Sequence, residues 1–161
     1  MPDENILDSE LSVAFDFRER PYPVSADLRP EWRIGTILVS LRKCWANQAN
    51  LRQLHVLNWA IRTPESRDTL VRIFNGELSP DEAIVRFDPT LERALRFAEG
   101  EKLITISGDV VSLADKGLTL VNKIDADENC LRWEKDFLSQ IKVKISQARV
   151  DAFLKWEDLS S

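Results

Sequence analysis

The sequence predicts a mainly α-helical domain with one short β-hairpin, preceded by an extended arm and followed by a long helix. Three observations lead there. Apolar residues recur at helical spacing through most of residues 33–124, in runs marked off by capping residues, proline and glycine. A single pair of β-prone runs, KLITIS and DVVSL, flanks Gly108-Asp109. After Gly117 the chain contains neither glycine nor proline, so nothing there interrupts a helix. With 161 residues, 43% hydrophobic and 30% charged, the chain suits one soluble domain with extensions. The expected division is an arm over 1–32, a helical domain over 33–124 and a terminal helix over 125–161.

In the arm, LSVAFDF sets Leu11, Val13, Phe15 and Phe17 on alternate positions, the period of a half-buried strand. Pro21, Pro23 and Pro30 then stop regular structure. An apolar strand on such a tether needs a cover, either its own domain or a partner's sheet edge. Ile34, Ile37, Leu38, Leu41 and Trp45 follow at i, i+3, i+4, i+7 and i+11, the stripe of an amphipathic helix. NLRQLHVLNWAIR is a second helix with Asn50 as its N-cap. Leu54, Leu57 and Ile61 line one face of it, while Val56, Trp59 and Ala60 predict burial on more than one side.

Thr63-Pro64 opens a third helix that Gly76 stops. Ser79-Pro80-Asp81-Glu82 is a capping box with proline at its first helical position. Asp88-Pro89 restarts the chain, and Leu91, Ala94, Leu95 and Ala98 share one face of a helix ended by Gly100. The hairpin comes next. ADKGLTLVNKI then resumes helical spacing through Leu118, Val121 and Ile124.

DENCLRWEKDFLSQIKVKISQARVDAFLKW is predicted as one long helix. Leu131, Leu138, Ile145 and Ala152 stand seven apart, with Ile141 and Ala148 three residues after two of them. This is a coiled-coil-like seam, interrupted by Glu134 and Lys155. Trp133, Phe137, Val143, Val150 and Phe153 fall outside it. One stripe packed on the chain's own core leaves them over. With Leu11, Val13, Phe15 and Phe17 they are the candidates for binding a partner.

The order of helices, capped restart, second capped helix, hairpin and further helix is that of a winged-helix domain. PTLERALRFAEG takes the place of the helix that a DNA-binding winged helix lays in the major groove. LITISGDVVSL is the wing, and Ile104, Ile106, Val111 and Leu113 cover the apolar edge that the helices leave. Net charge is −5 with a pI near 5.0, which does not favour nucleic-acid binding by the whole chain.

The charge is unevenly spread. Asp3, Glu4, Asp8, Glu10, Asp16, Glu19, Asp27 and Glu31 lie in residues 1–33 against Arg18, Arg20, Arg29 and Arg33. Residues 34–63 contain Arg42, Lys43, Arg52 and Arg62 and no acid. These four, with Arg93 and Arg96, are the candidates for contacting DNA. However, Glu92 and Glu99 offset the last two, and Asp88 and Glu101 flank them. Phosphate contacts supply most non-specific affinity, so this face favours solvated ion pairs or a protein contact.

No residue set calls for catalysis. His55, the one histidine, lies in an apolar helix without a helical acid neighbour and reads as a core residue. Cys44 and Cys130 form no CxxC pair and read as free thiols. GEKLI and ISGD carry too little glycine for a phosphate loop. Asp81 and Glu82 serve as caps, and Glu99 and Glu101 as surface residues. The expectation is no enzyme, no cofactor, no metal and no small-molecule substrate. No apolar run reaches the roughly 18 residues of a membrane span, and MPDENILDSE lacks the apolar stretch of a secretory signal, so a cytoplasmic protein is expected.

RFDPTLERALRFAEGEKLITISGDVVSLADKG, residues 86–117, resembles the middle components of bacterial three-component ABC-ATPase defence systems, the group that includes Lamassu. The resemblance rests on Arg86-Phe87-Asp88-Pro89, on Leu91, Ala94, Leu95 and Ala98, on the wing, and on Leu113 with Gly117. LHVLNWAIRTPESRDTLVRI upstream is similar in character, so about half to two thirds of the chain is covered. The resemblance implies a small winged-helix subunit without catalytic residues. It would dock on an ATPase of the structural-maintenance-of-chromosomes (SMC) type and on an effector, often a nuclease, and meet DNA through that complex. The other reading is a stand-alone winged-helix transcription regulator that dimerises through its C-terminal helix.

Overall fold

A computed structural model describes residues 29–79, 85 and 88–141. Leu11, Val13, Phe15, Phe17, Val143, Val150 and Phe153 lie outside the described residues, as does the helix expected after Ser79-Pro80. Among the described residues the chain forms six α-helices and a three-stranded antiparallel sheet. None of these helices is long and apolar enough to cross a membrane.

α1 spans Pro30–Lys43, with proline in its first turn, where a missing N–H costs nothing. Every residue from Arg33 to Leu41 is buried. A single amphipathic stripe was expected, yet α1 is covered all round and serves as the axis of the molecule. Small residues at Gly35, Thr36 and Ser40 let neighbours approach its other faces.

Trp45 does not continue the stripe. Cys44 is extended, and Ala46 and Asn47 adopt left-handed backbone at φ 53° and 56°. This turns the chain into β1 (Gln48–Asn50) and leaves Trp45 68% exposed. Strand β1 corrects the expectation of a lone hairpin. Pairing rather than propensity makes these residues a strand.

α2 (Leu51–Arg62) begins with a full capping box: Asn50 accepts from the Gln53 amide and the Gln53 side chain accepts from the Asn50 amide. α3 (Pro64–Phe74) is capped by Thr63 and closes at Gly76, whose φ of 76° suits glycine. α4 (Pro89–Gly100) is capped by Asp88 and buries Leu91, Ala94, Leu95 and Ala98, the expected face. Gly100 is its last helical residue rather than its left-handed stop, and Lys102 takes that role at φ 60°.

β2 (Ile104–Ser107) and β3 (Val110–Leu113) flank the Gly108-Asp109 turn, with β3 in the centre of the order β1-β3-β2. Ile104 and Val111 are buried, and Ile106 and Leu113 pack on the core, so the sheet does cover the helical edge. α5 (Asp115–Ala126) buries Val121 and Ile124. At Gly117 the Leu103 carbonyl comes so close that a Cβ would collide with it. This glycine is required by approach, not by dihedral.

The long terminal helix is not continuous. Leu131 is left-handed at φ 49°, α6 runs only over Arg132–Gln140, and Ile141 is extended. The breaks let Leu131, Leu138 and Ile141 turn onto α1 instead of lining an extended seam. Phe137, placed off the seam and expected at a partner surface, is only 2% exposed and belongs to the core. Period alone could not show this, because a short helix docked edge-on buries a wider arc than two supercoiled helices do.

Candidate functional site

α4 meets α1 and α2 through one carboxylate. The first turn of α4 has free amides, and Asp88 caps it by accepting from the Thr90 amide at 2.9 Å and from the Thr90 hydroxyl at 2.6 Å. Its other oxygen accepts from the Arg33 guanidinium of α1 at 2.9 Å and from the Asn58 side-chain amide of α2 at 3.2 Å. Arg33 also donates to the Asn58 carbonyl oxygen at 3.2 Å, and Arg62 reaches within 3.7 Å of Asp88. Arg33 is only 6% exposed, so its charge needs buried partners, and Asp88 is one of them.

Desolvation pushes the Asp88 carboxyl upward. The hydrogen bonds from Thr90, Asn58 and Arg33 outweigh it and hold the group well below the usual carboxylate range. His55 lies buried in α2, and desolvation lowers its pKa against the weaker upward pull of Asp88 and Glu92. The acids missing from its own helix come from around α4. Its neutral form is the favoured one.

This polar knot fixes the start of α4 against the start of α1, and a groove of about 390 Å³ opens beside it. Arg29, Pro30, Arg33 and Ile34 of the α1 end form one wall. Thr90, Arg93, Ala94 and Phe97 form the other, two pairs spaced four apart on one stripe of α4. The floor is apolar. Arg29 and Arg93 are exposed on its rim, and Phe97 is 57% exposed at its edge. The groove has the features of a small peptide-docking or ligand-docking cleft. No group of three or more His, Cys, Asp or Glu among the described residues could hold a metal ion.

The six basic candidates do not form one patch. Arg62 sits beside Asp88 and Arg33, whereas Arg42 lies nine residues from Arg33 along α1, about 14 Å of helix rise away. Arg42 is exposed and Lys43 half-buried. Arg52 opens α2 next to the hairpin turn, where the Leu51 amide donates to the Asp109 carbonyl. Arg93 and Arg96 are exposed on α4 with Glu99 between them and the hairpin, and the Glu99 carboxylate accepts from the Ile106 amide.

Of the partner candidates within the described residues, Trp133 is 71% exposed on α6 and Phe137 is buried. Two site features were not foreseen. Phe97 lies off the buried stripe Leu91, Ala94, Leu95 and Ala98, and a helical wheel would have shown it standing outward. The Arg33–Asp88 pair joins residues 55 apart, and no local pattern points to it. No known family model, curated protein or solved structure matches the chain.

Proposed function

We propose that the chain is a winged-helix adaptor without catalytic activity, belonging to an SMC-like ATPase defence complex and held there by the ATPase and the effector. The observation that carries this is Trp133. A tryptophan 71% exposed stands on α6, whose other side is fastened to the core by Phe137, Leu138 and Ile141. A large exposed aromatic on a helix is the type of residue that dominates protein–protein binding energy. The order α1-β1-α2-α3-α4-β2-β3, with β1 paired to β3, supports the winged-helix reading. The outward face of α4 argues against duplex reading, since it mixes Arg93 and Arg96 with Glu92, Glu99 and the exposed Phe97. The resemblance of residues 86–117 to the middle components of such systems supplies the identity of the partners.

The test is affinity capture of the full chain from its native host with neighbouring genes intact. The expected result is co-recovery of an ATPase and a second subunit, reduced at least tenfold by Trp133→Ala with the fold unchanged by circular dichroism. Recovery of the chain alone on its own promoter, with affinity falling steeply as salt rises, would overturn the reading in favour of a stand-alone regulator.

A further inference from the structure

The groove between α1 and α4 separates charges that cancel in the sequence of α4. Glu92 and Glu99 share one stripe of that helix, about half a turn from the stripe of Thr90, Ala94 and Phe97 that faces the groove. The Glu99 carboxylate is also engaged by the Ile106 amide. No acid is among the described residues that line the groove. Of its three arginines, Arg33 is paired with Asp88 and Arg29 has an interaction of its own. Arg93 is exposed and makes no ion pair or hydrogen bond among the described residues. The groove therefore offers one uncommitted cation beside the apolar Ile34, Ala94 and Phe97.

An occupant matched to it carries an apolar side chain next to a carboxylate. The volume of about 390 Å³ is near the lower end of the roughly 300–1,000 Å³ of ligand cavities, room for side chains rather than for a helix face. Phe97 favours a segment of a protein over a free small molecule. It stands 57% exposed at the edge of the groove. A small molecule held among Ile34, Ala94 and Arg93 leaves the outer part of that ring in water. A peptide running on past the groove covers it and gains its burial.

We infer that the α1–α4 groove docks a short segment of another protein, one that presents an aromatic side chain beside a carboxylate. The aromatic ring packs on Ile34, Ala94 and Phe97, and the carboxylate pairs with Arg93. The inference goes beyond the adaptor reading and does not rest on it, since that reading is carried by Trp133 on α6.

The test is an NMR titration of the isotopically labelled full chain with the capped tetrapeptide glycyl-aspartyl-phenylalanyl-glycine. Saturable shifts are expected in residues 31–34 and 90–97 and not in α6. The lysyl counterpart of the peptide should bind about threefold more weakly or worse, the size of one exposed ion pair. Arg93→Glu should reverse that order, and Phe97→Ala should weaken both peptides. Both side chains are exposed, so the rest of the spectrum should stay in place. No saturable shift, equal binding of the two peptides, or an order that survives Arg93→Glu would overturn the inference. So would 3-phenylpropionate binding as tightly as the aspartyl peptide, which would make this a small-molecule site. Groove shifts that grow with protein concentration alone would seat a second copy there and overturn it too. The titration leaves the capture through Trp133 untouched, so the two readings fail separately.

Discussion

The two ends of α4 are fastened in different ways. At its start, Asp88 gathers Thr90, Arg33, Asn58 and Arg62 around one carboxylate, so α4 is tied to α1 and α2 by charge and hydrogen bonds. Beyond its end, the Leu103 amide donates to the Ala98 carbonyl, and the Leu103 carbonyl accepts from the Ala114 amide and lies against Gly117. That end is held by backbone contact and by the apolar sheet. The first kind of fastening can be released by a proton or a single polar substitution. The second, whose polar side-chain contacts (Glu99 with the Ile106 amide, Lys116 with Glu101) are all exposed, responds mainly to shape. The groove lies beside the first, so its walls are positioned by the more easily altered end.

The largest effect is expected from Asp88→Ala. It removes the N-cap and takes the Asp88 carboxylate away from the buried Arg33 guanidinium, a loss of about 3–5 kcal/mol in unfolding free energy. Urea denaturation at pH 7 measures it. A cost below about 1 kcal/mol would mean that Arg33 finds a substitute partner and that the two ends do not differ in kind. The same carboxylate predicts a pH dependence. Its folded pKa lies below the unfolded value near 3.9, so in that interval the unfolded chain binds the extra proton and stability rises with pH. The contribution is complete above about pH 4 and is lost as pH falls through the folded value. His55 is also lowered, so its contribution is complete above about pH 6.5 and is lost below that. Two successive declines in the unfolding free energy from urea denaturation are therefore expected on acidification, each with a slope of at most about 1.4 kcal/mol per pH unit. Asp88→Asn should remove the lower one and keep the upper.

How much of this was legible in the sequence follows the range of the interactions. Caps are local, so Asn50, Thr63 and the helix starting at Pro89 could be read from a few residues. The hairpin could be read from its turn. Strand β1 could not, because QAN has no strand character until β3 lies beside it. The break in the terminal helix is illegible for the same reason: Leu131, left-handed at the start of α6, packs against Gly35 of α1, a contact across 96 positions of chain (131 less 35). At the site, the acid–base balance of α4 was visible and the groove was not. The groove lies beside the contact of Arg33 with Asp88, and nothing in either neighbourhood announces the other.

At the opposite end of α4 the expected loss is smaller and of another origin. Gly117→Ala would drive a methyl group into the Leu103 carbonyl, and neither partner is a side chain that can rotate away. Separating α5 from the hairpin to make room should cost about 1–3 kcal/mol, unchanged between pH 4 and pH 8. Thermal melts across that range check it. A pH-dependent loss would show that the two fastenings are coupled through α4, and the contrast between its ends would fail.

Gly35→Ala separates the effect of crowding from the effect of what is crowded. The new Cβ would lie 2.8 Å from Leu131 Cδ1, which is also too close, but Cδ1 is the tip of a side chain and not backbone. Leu131 can turn at modest cost. Alanine meanwhile gains up to about 1 kcal/mol of helix propensity over glycine inside α1. The net change should stay within about 0.5 kcal/mol of zero by urea denaturation, several-fold smaller than for Gly117→Ala. A loss as large as that of Gly117 would mean that Leu131 has no alternative position. In that case α6 is locked on α1 as tightly as α5 is on the hairpin, and Trp133 is presented by a mount that does not yield. A near-zero change with faster exchange in α6 would instead place Trp133 on the more compliant of the two contacts, so that a partner would have to order it on binding.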